Sequence, residues 1–217
     1  MMAVALLLVG IREPKRDRPH RAINPIRRDA LARLGSRYWW VVGVGAVFTL
    51  ARFSEAFLVL RASQLGVPIA WVPLVMVAMN VVYSLSAYPF GKLSDSMSHR
   101  TLLAAGLVVL ATSDLVLALA SDWVGLGLGV ALWGVHMGMT QGLLAAMVAD
   151  TAPSDLRGTA FGFFNLLSGI AMLASSVVAG LMWDRFGSEY TFYAGAAFAG
   201  LTLAGMAISA ARDRSAA

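Results

Sequence analysis

The chain alternates long apolar runs with short polar breaks, a pattern too coarse for soluble amphipathic helices or half-buried strands. Residues 68–90 carry no charged side chain, and residues 101–120 carry one, Asp114. Between them lies Gly91-Lys-Leu-Ser-Asp95-Ser-Met-Ser-His99-Arg100, a polar and charged connection. Two runs of about 20 residues joined by about ten polar ones predict a helical hairpin through a bilayer. The same reading gives six spans, at about 38–61, 68–90, 101–120, 123–149, 158–183 and 190–210. In lipid, backbone polar groups must be paired within a helix or around a closed barrel, and these runs are about twice the length a barrel strand needs. The predicted fold class is therefore all-α, a polytopic membrane protein with six transmembrane helices.

The flanks carry the charge. Residues 1–11 are apolar but too short to span, and read as the tail of a preceding transmembrane helix. Residues 12–37 hold nine basic side chains, interrupted by Pro14, Pro19 and Pro25. Within them, 25–36 suits a short basic helix lying along the headgroups. Alternating the loops across the membrane puts fourteen Lys and Arg on one side and only Arg61 and Arg185 on the other, with Arg52 inside a span. That asymmetry predicts both termini in the cytoplasm. Tyr38-Trp39-Trp40 opens the first span as an interfacial aromatic belt.

Composition agrees. Of 217 residues 59% are hydrophobic and 13% charged, with a mean hydropathy of +0.72, whereas a soluble domain has about 25% charged residues. The net charge of +5 comes from basic residues beside the spans, so no nucleic-acid partner is expected. The absence of cysteine excludes disulfides and thiolate sites. No nucleotide-binding loop, metal-ligand spacing or nucleophile constellation occurs, which predicts neither an enzyme nor a nucleotide-driven pump, and no cofactor.

Two short stretches match. Gly91 to Asp95 ends the second span, and Gly180-Leu-Met-Trp-Asp184 ends the fifth. Both are Gly-x-x-x-Asp, three spans apart and on opposite sides, as in a 3+3 inverted repeat. The domain reading is an apolar stub and basic loop over 1–37, a first three-helix repeat over 38–120, and a second over 121–217.

Gly91, Asp95 and the basic pair His99-Arg100, between two membrane helices, resemble the cytoplasmic loop signature of the major facilitator superfamily. Ser96 and Ser98 stand where that signature has a basic residue and a second glycine. Asp150-Thr-Ala-Pro153-Ser-Asp-Leu-Arg157-Gly158 resembles a later loop of the same family. The resemblance implies the C-terminal six-helix half of such a transporter, one wall of a cavity whose other wall is an N-terminal six-helix half on the same longer chain or a second subunit. It also implies that the first and fourth spans line the cavity and that Asp95, Arg100, Asp150 and Arg157 gate its cytoplasmic side.

Ionisable groups within a bilayer are costly and mark solute or proton paths. Arg52 and Glu55 lie three apart in the first span, so a helix would set them on one face, where they would neutralise each other. Trp133, His136 and Thr140 share a face of the fourth span, as an aromatic, imidazole and hydroxyl surface for a small molecule or as an interhelical hydrogen bond from the imidazole. Asn80 and Asn165, with Ser168, sit mid-span and suit helix-to-helix bonding or the same path. Asp114 reads as structural, partnered from a neighbouring helix. Asp95 suits an N-cap for the next helix or a pair with a nearby cation. The expected function is secondary transport of a small solute across a plasma (bacterial inner) membrane, driven by a proton or ion gradient with Glu55 as coupling residue. The competing expectation is a non-transporting structural or adaptor subunit, or an inactive truncated product.

Overall fold

The computed structural model describes residues 31–215, with side chains described as far as Ile208. The apolar stub, most of the basic loop and the terminal Arg212 and Arg214 side chains lie outside the described residues. The helices are α1 (Ser36–Leu50), α2 (Ala56–Gln64), α3 (Val72–Ser94), α4 (His99–Leu119), α5 (Trp123–Thr151), α6 (Arg157–Phe186) and α7 (Ser188–Ser215). No strand occurs among the described residues. Five helices, α3 to α7, are long and apolar enough to cross a membrane by length and composition.

The first expected span is not one helix. It is α1 and α2, separated by Ala51–Glu55, and neither piece alone is long enough to cross. No proline or glycine causes the break. Instead its backbone is taken up by another helix: Ser175 Oγ donates to the carbonyl of Arg52 at 3.1 Å, and the Ser54 amide donates to Ser176 Oγ at 3.2 Å. Ser54 also accepts from the amide of Ala56 at 3.3 Å, opening α2. Backbone groups inside a bundle need a partner where a helix is interrupted, and α6 supplies one here.

The other helix ends follow local chemistry. Pro73 stands in the first turn of α3, where a missing N–H costs nothing. Ser98 caps α4 by accepting from the Thr101 amide at 3.2 Å, so Asp95 is not its N-cap; it sits at the C-cap of α3. Asp122 caps α5 through the Gly125 amide at 2.7 Å. Gly187 alone joins α6 to α7, at φ +106°, a value open to glycine and strained for other residues.

Helix α5 is the centre, packed chiefly on α3 and α4, while α4 also packs on α7, and α1 on α6. Half of the apolar windows of α4 and α5 are buried, against 11% for α3 and 17% for α6. The interior therefore belongs to α4 and α5, and α3 and α6 present open faces. Glycines allow the central contacts. A Cβ on Gly134 would lie 2.6 Å from the Met79 carbonyl oxygen of α3, and one on Gly138 would collide with Ser86. An aromatic cluster fills one end of the core, with Phe53 at 5.2–5.6 Å between ring centroids from Phe57, Trp133 and Phe192.

Candidate solute path

Arg52 lies in the break between α1 and α2, its amide bonded to the Thr49 carbonyl at 3.1 Å and its carbonyl to Ser175 of α6, and the helical register does not continue to Glu55. The expected shared helix face of Arg52 and Glu55 therefore does not exist. Both are half-buried, and no ion pair within 4 Å joins them. Among the described residues the Arg52 guanidinium makes neither an ion pair nor a hydrogen bond.

Arg52 lines a cavity of about 440 Å³ between α1, α5 and α6. Its polar walls are Thr49, Thr140, Gln141, Asn165 and Ser168, and its apolar walls include Phe48, Leu144, Phe161, Phe164 and Met172. Among the described residues Arg52 is the one charged residue lining it. The Ser168 hydroxyl is buried without a hydrogen-bond partner among the described residues. The geometry thus joins Arg52, Thr140 and Asn165 from the sequence reading, and adds Gln141, which that reading passed over although it follows Thr140 directly.

Trp133 and His136 lie elsewhere. Both are 0% exposed. His136 Nδ1 lies 2.8 Å from the carbonyl oxygen of Gly106 in α4, so the Nδ1–H tautomer donates there. Its ring stacks on Phe48 at 5.4 Å between centroids. Trp133 packs against Phe53. The Thr140 hydroxyl donates to the His136 carbonyl at 2.9 Å, and its methyl meets Gly106. The three do share a face of α5, but Trp133 and His136 turn it into the bundle, and only Thr140 also reaches the cavity. Asn80 is exposed on α3 and donates to the Met76 carbonyl of its own helix at 2.8 Å. Asp114 is 0% exposed against Gly195 of α7, and among the described residues its carboxylate oxygens lack the hydrogen-bond partner expected from a neighbouring helix.

At the end of the bundle holding the α3–α4 and α5–α6 connections, Gly91, Asp95, Asp150 and Arg157 are exposed. A Cβ on Gly91 or Gly180 would meet nothing within 4 Å, so packing does not demand glycine in either Gly-x-x-x-Asp stretch. The Arg100 guanidinium lies 4.9 Å over the Trp40 ring, and Arg100, Asp150, His99 and Arg37 line a second cavity of about 540 Å³. Sequence reading missed two ties here. Arg33 pairs with Asp155 at 2.7 Å, and the Tyr38 hydroxyl donates to the Ala160 carbonyl at 2.8 Å. At the opposite end it missed Arg61, which is 4% exposed and bonded to the end of α4.

The family model of the Major Facilitator Superfamily matches the chain over residues 1–169 and again over 41–216. The chain is 31% identical over 166 residues to an uncharacterized MFS-type transporter of Methanocaldococcus jannaschii, covering 72% of this chain and 40% of that protein. It is 27% identical to the inner membrane transport protein YajR of Escherichia coli K12, covering 70% and 34%. It is 22% identical to the quinolone resistance protein NorA of Staphylococcus aureus, covering 71% and 38%. The chain thus spans between a third and two fifths of the length of these curated relatives. With a helical bundle of apolar, membrane-length segments on one side of the comparison and these matches on the other, the chain belongs to the major facilitator superfamily.

Proposed function

We propose that the chain forms the C-terminal six-helix half of a secondary transporter, with 38–120 and 121–217 as its two three-helix repeats, and carries a small solute by alternating access. The observation that carries this reading is Arg52, a cation without an ion pair within 4 Å among the described residues, set in the break between two helices and lining a cavity with polar walls. Ionisable groups placed so usually line a path, and interrupted helices build the sites of transporters. An N-terminal six-helix half closes the open faces of α3 and α6. The names of the relatives support transport in an inner membrane, with both termini cytoplasmic as the basic asymmetry predicts. Asp95, Arg100, Asp150 and Arg157 latch the cytoplasmic side, and Glu55, at the end of the break, couples transport to a proton or ion gradient.

Solute accumulation by inverted membrane vesicles, energised by a proton or sodium gradient, tests this. Glu55→Gln is expected to abolish gradient-driven accumulation while leaving downhill exchange. Accumulation with unchanged pH dependence in that variant removes Glu55 from the coupling role. Vesicles that accumulate no solute under any gradient overturn the transport reading.

A further inference from the structure

We infer that the Arg52 cavity selects organic anions, taking a carboxylate-like head against the guanidinium and an apolar body against the phenylalanines. The inference deepens the proposed solute path and rests on it.

Three observations converge on this. First, the charge has no close counter-ion: Arg52 is the one charged residue among the described residues lining the cavity, and Glu55, the nearest opposite charge to act on it, is not within ion-pair distance. A guanidinium stays protonated under all physiological conditions, so the site cannot become neutral by losing its proton. Unpaired charge withdrawn from water is destabilising, and an anionic occupant removes that cost. Second, the neighbours suit an anion's other needs. Asn165 and Gln141 amides and the unpartnered Ser168 hydroxyl supply donors on the facing helices, beside a guanidinium whose planar fork matches a carboxylate. Third, the remaining wall is apolar and aromatic, with Phe161 and Phe164 among it, and the volume of about 440 Å³ lies in the range of sites for small organic molecules rather than bare inorganic ions.

The position of Arg52 makes this more than a local charge. Its backbone carbonyl is held by Ser175, and Asn165 and Ser168 lie on the same helix, α6. The backbone that carries the cation is therefore tied to the helix that carries two of the donors.

The test uses the protein in lipid nanodiscs and three probes of one shape: benzoate, neutral benzamide and cationic benzylamine. Binding of radiolabelled benzoate is measured directly, with the other two as competitors. Benzamide is expected to compete at least ~10-fold more weakly than unlabelled benzoate, and benzylamine not at all. Arg52→Gln is expected to remove the preference, and Arg52→Lys to keep part of it. Should Arg52→Gln fail to fold, Asn165→Asp places a carboxylate in the cavity without touching the break, and is expected to abolish benzoate binding at an unchanged unfolding midpoint. Equal competition by benzamide overturns the inference, as does a benzoate preference that survives Arg52→Gln or Asn165→Asp. Vesicles that carry a neutral solute through a cavity indifferent to charge leave transport standing and overturn anion selection. Selective benzoate binding in a protein that moves no solute does the reverse.

Discussion

Arg61 Nε donates to the carbonyl oxygen of Leu117 at 3.1 Å, so a side chain of α2 closes the C-terminus of α4. The same guanidinium donates to the carbonyls of Ala118 at 3.2 Å and Ala120 at 2.9 Å, to Ser188 Oγ at 2.6 Å and to Gln64 Oε1 at 3.0 Å. The last carbonyls of a helix have no intrahelical partner, and a buried end must find one. Arg61 also meets the negative end of the α4 dipole. One residue thus ties α2, α4 and the start of α7 together.

Arg61→Met is expected to lower stability by about 2–4 kcal/mol, because several carbonyls and a serine hydroxyl lose their partner together. Arg61→Lys recovers only part of this, since an ammonium has three donors and no planar fork. Thermal unfolding in detergent, followed by tryptophan fluorescence, measures both. An Arg61→Met protein as stable as the parent shows that water at the membrane surface satisfies α4 equally well.

The contact of α3 with α5 depends on missing Cβ atoms. Gly134→Ala gains helix propensity of about 1 kcal/mol. Yet its Cβ would sit 2.6 Å from the Met79 carbonyl and 3.1 Å from the Tyr83 amide, atoms that cannot rotate away. The helices must separate, and the net change expected is a loss of about 1–2 kcal/mol. Gly142→Ala on the same helix meets nothing within 4 Å and is expected to be neutral or mildly stabilising. Comparing the two unfolding midpoints separates close packing from propensity. A Gly134→Ala protein no less stable than Gly142→Ala means that α3 yields at no cost.

The membrane helices were legible because lipid leaves an apolar run so few choices: α3 to α7 fall within a few residues of the spans read from hydropathy, charge and turn chemistry. The break at Ala51–Glu55 was not. The groups that satisfy it are a pair of serines more than a hundred positions away, and nothing in Leu50-Ala-Arg-Phe-Ser-Glu55 forbids a helix. The polar side chains divide along the same line. That Trp133, His136 and Thr140 share a face was readable from spacing, but which neighbour the face meets is a tertiary fact. Arg61 was counted as a loop charge because its acceptors are backbone carbonyls, which carry no mark in a sequence.

His136 provides a direct check of that division. With Nδ1 bound to Gly106 and its ring stacked on Phe48, it acts as a tie between α4, α5 and α1. His136→Leu removes the hydrogen bond and the stack, for an expected loss of about 1–3 kcal/mol. Benzoate affinity is expected to change less than ~3-fold, since the imidazole is not among the residues lining the Arg52 cavity. Unfolding and binding measured on one preparation decide between a tie and a contact. Lost affinity at unchanged stability assigns His136 to the path.

The break itself is open to the same kind of test. Ser176→Ala leaves the Ser54 amide without its acceptor, and Ser175→Ala leaves the Arg52 carbonyl without its donor. Each is expected to weaken the local structure by about 1–2 kcal/mol. Hydrogen–deuterium exchange over residues 52–57 is then expected to accelerate by roughly 5- to 30-fold, with exchange in α4 and α5 unchanged. Because the Ser175 bond ties the Arg52 backbone to α6, Ser175→Ala is also expected to weaken benzoate binding although Ser175 does not line the cavity. Faster exchange without weaker binding shows that Arg52 is positioned by its own side-chain packing and not by the serine bonds to α6.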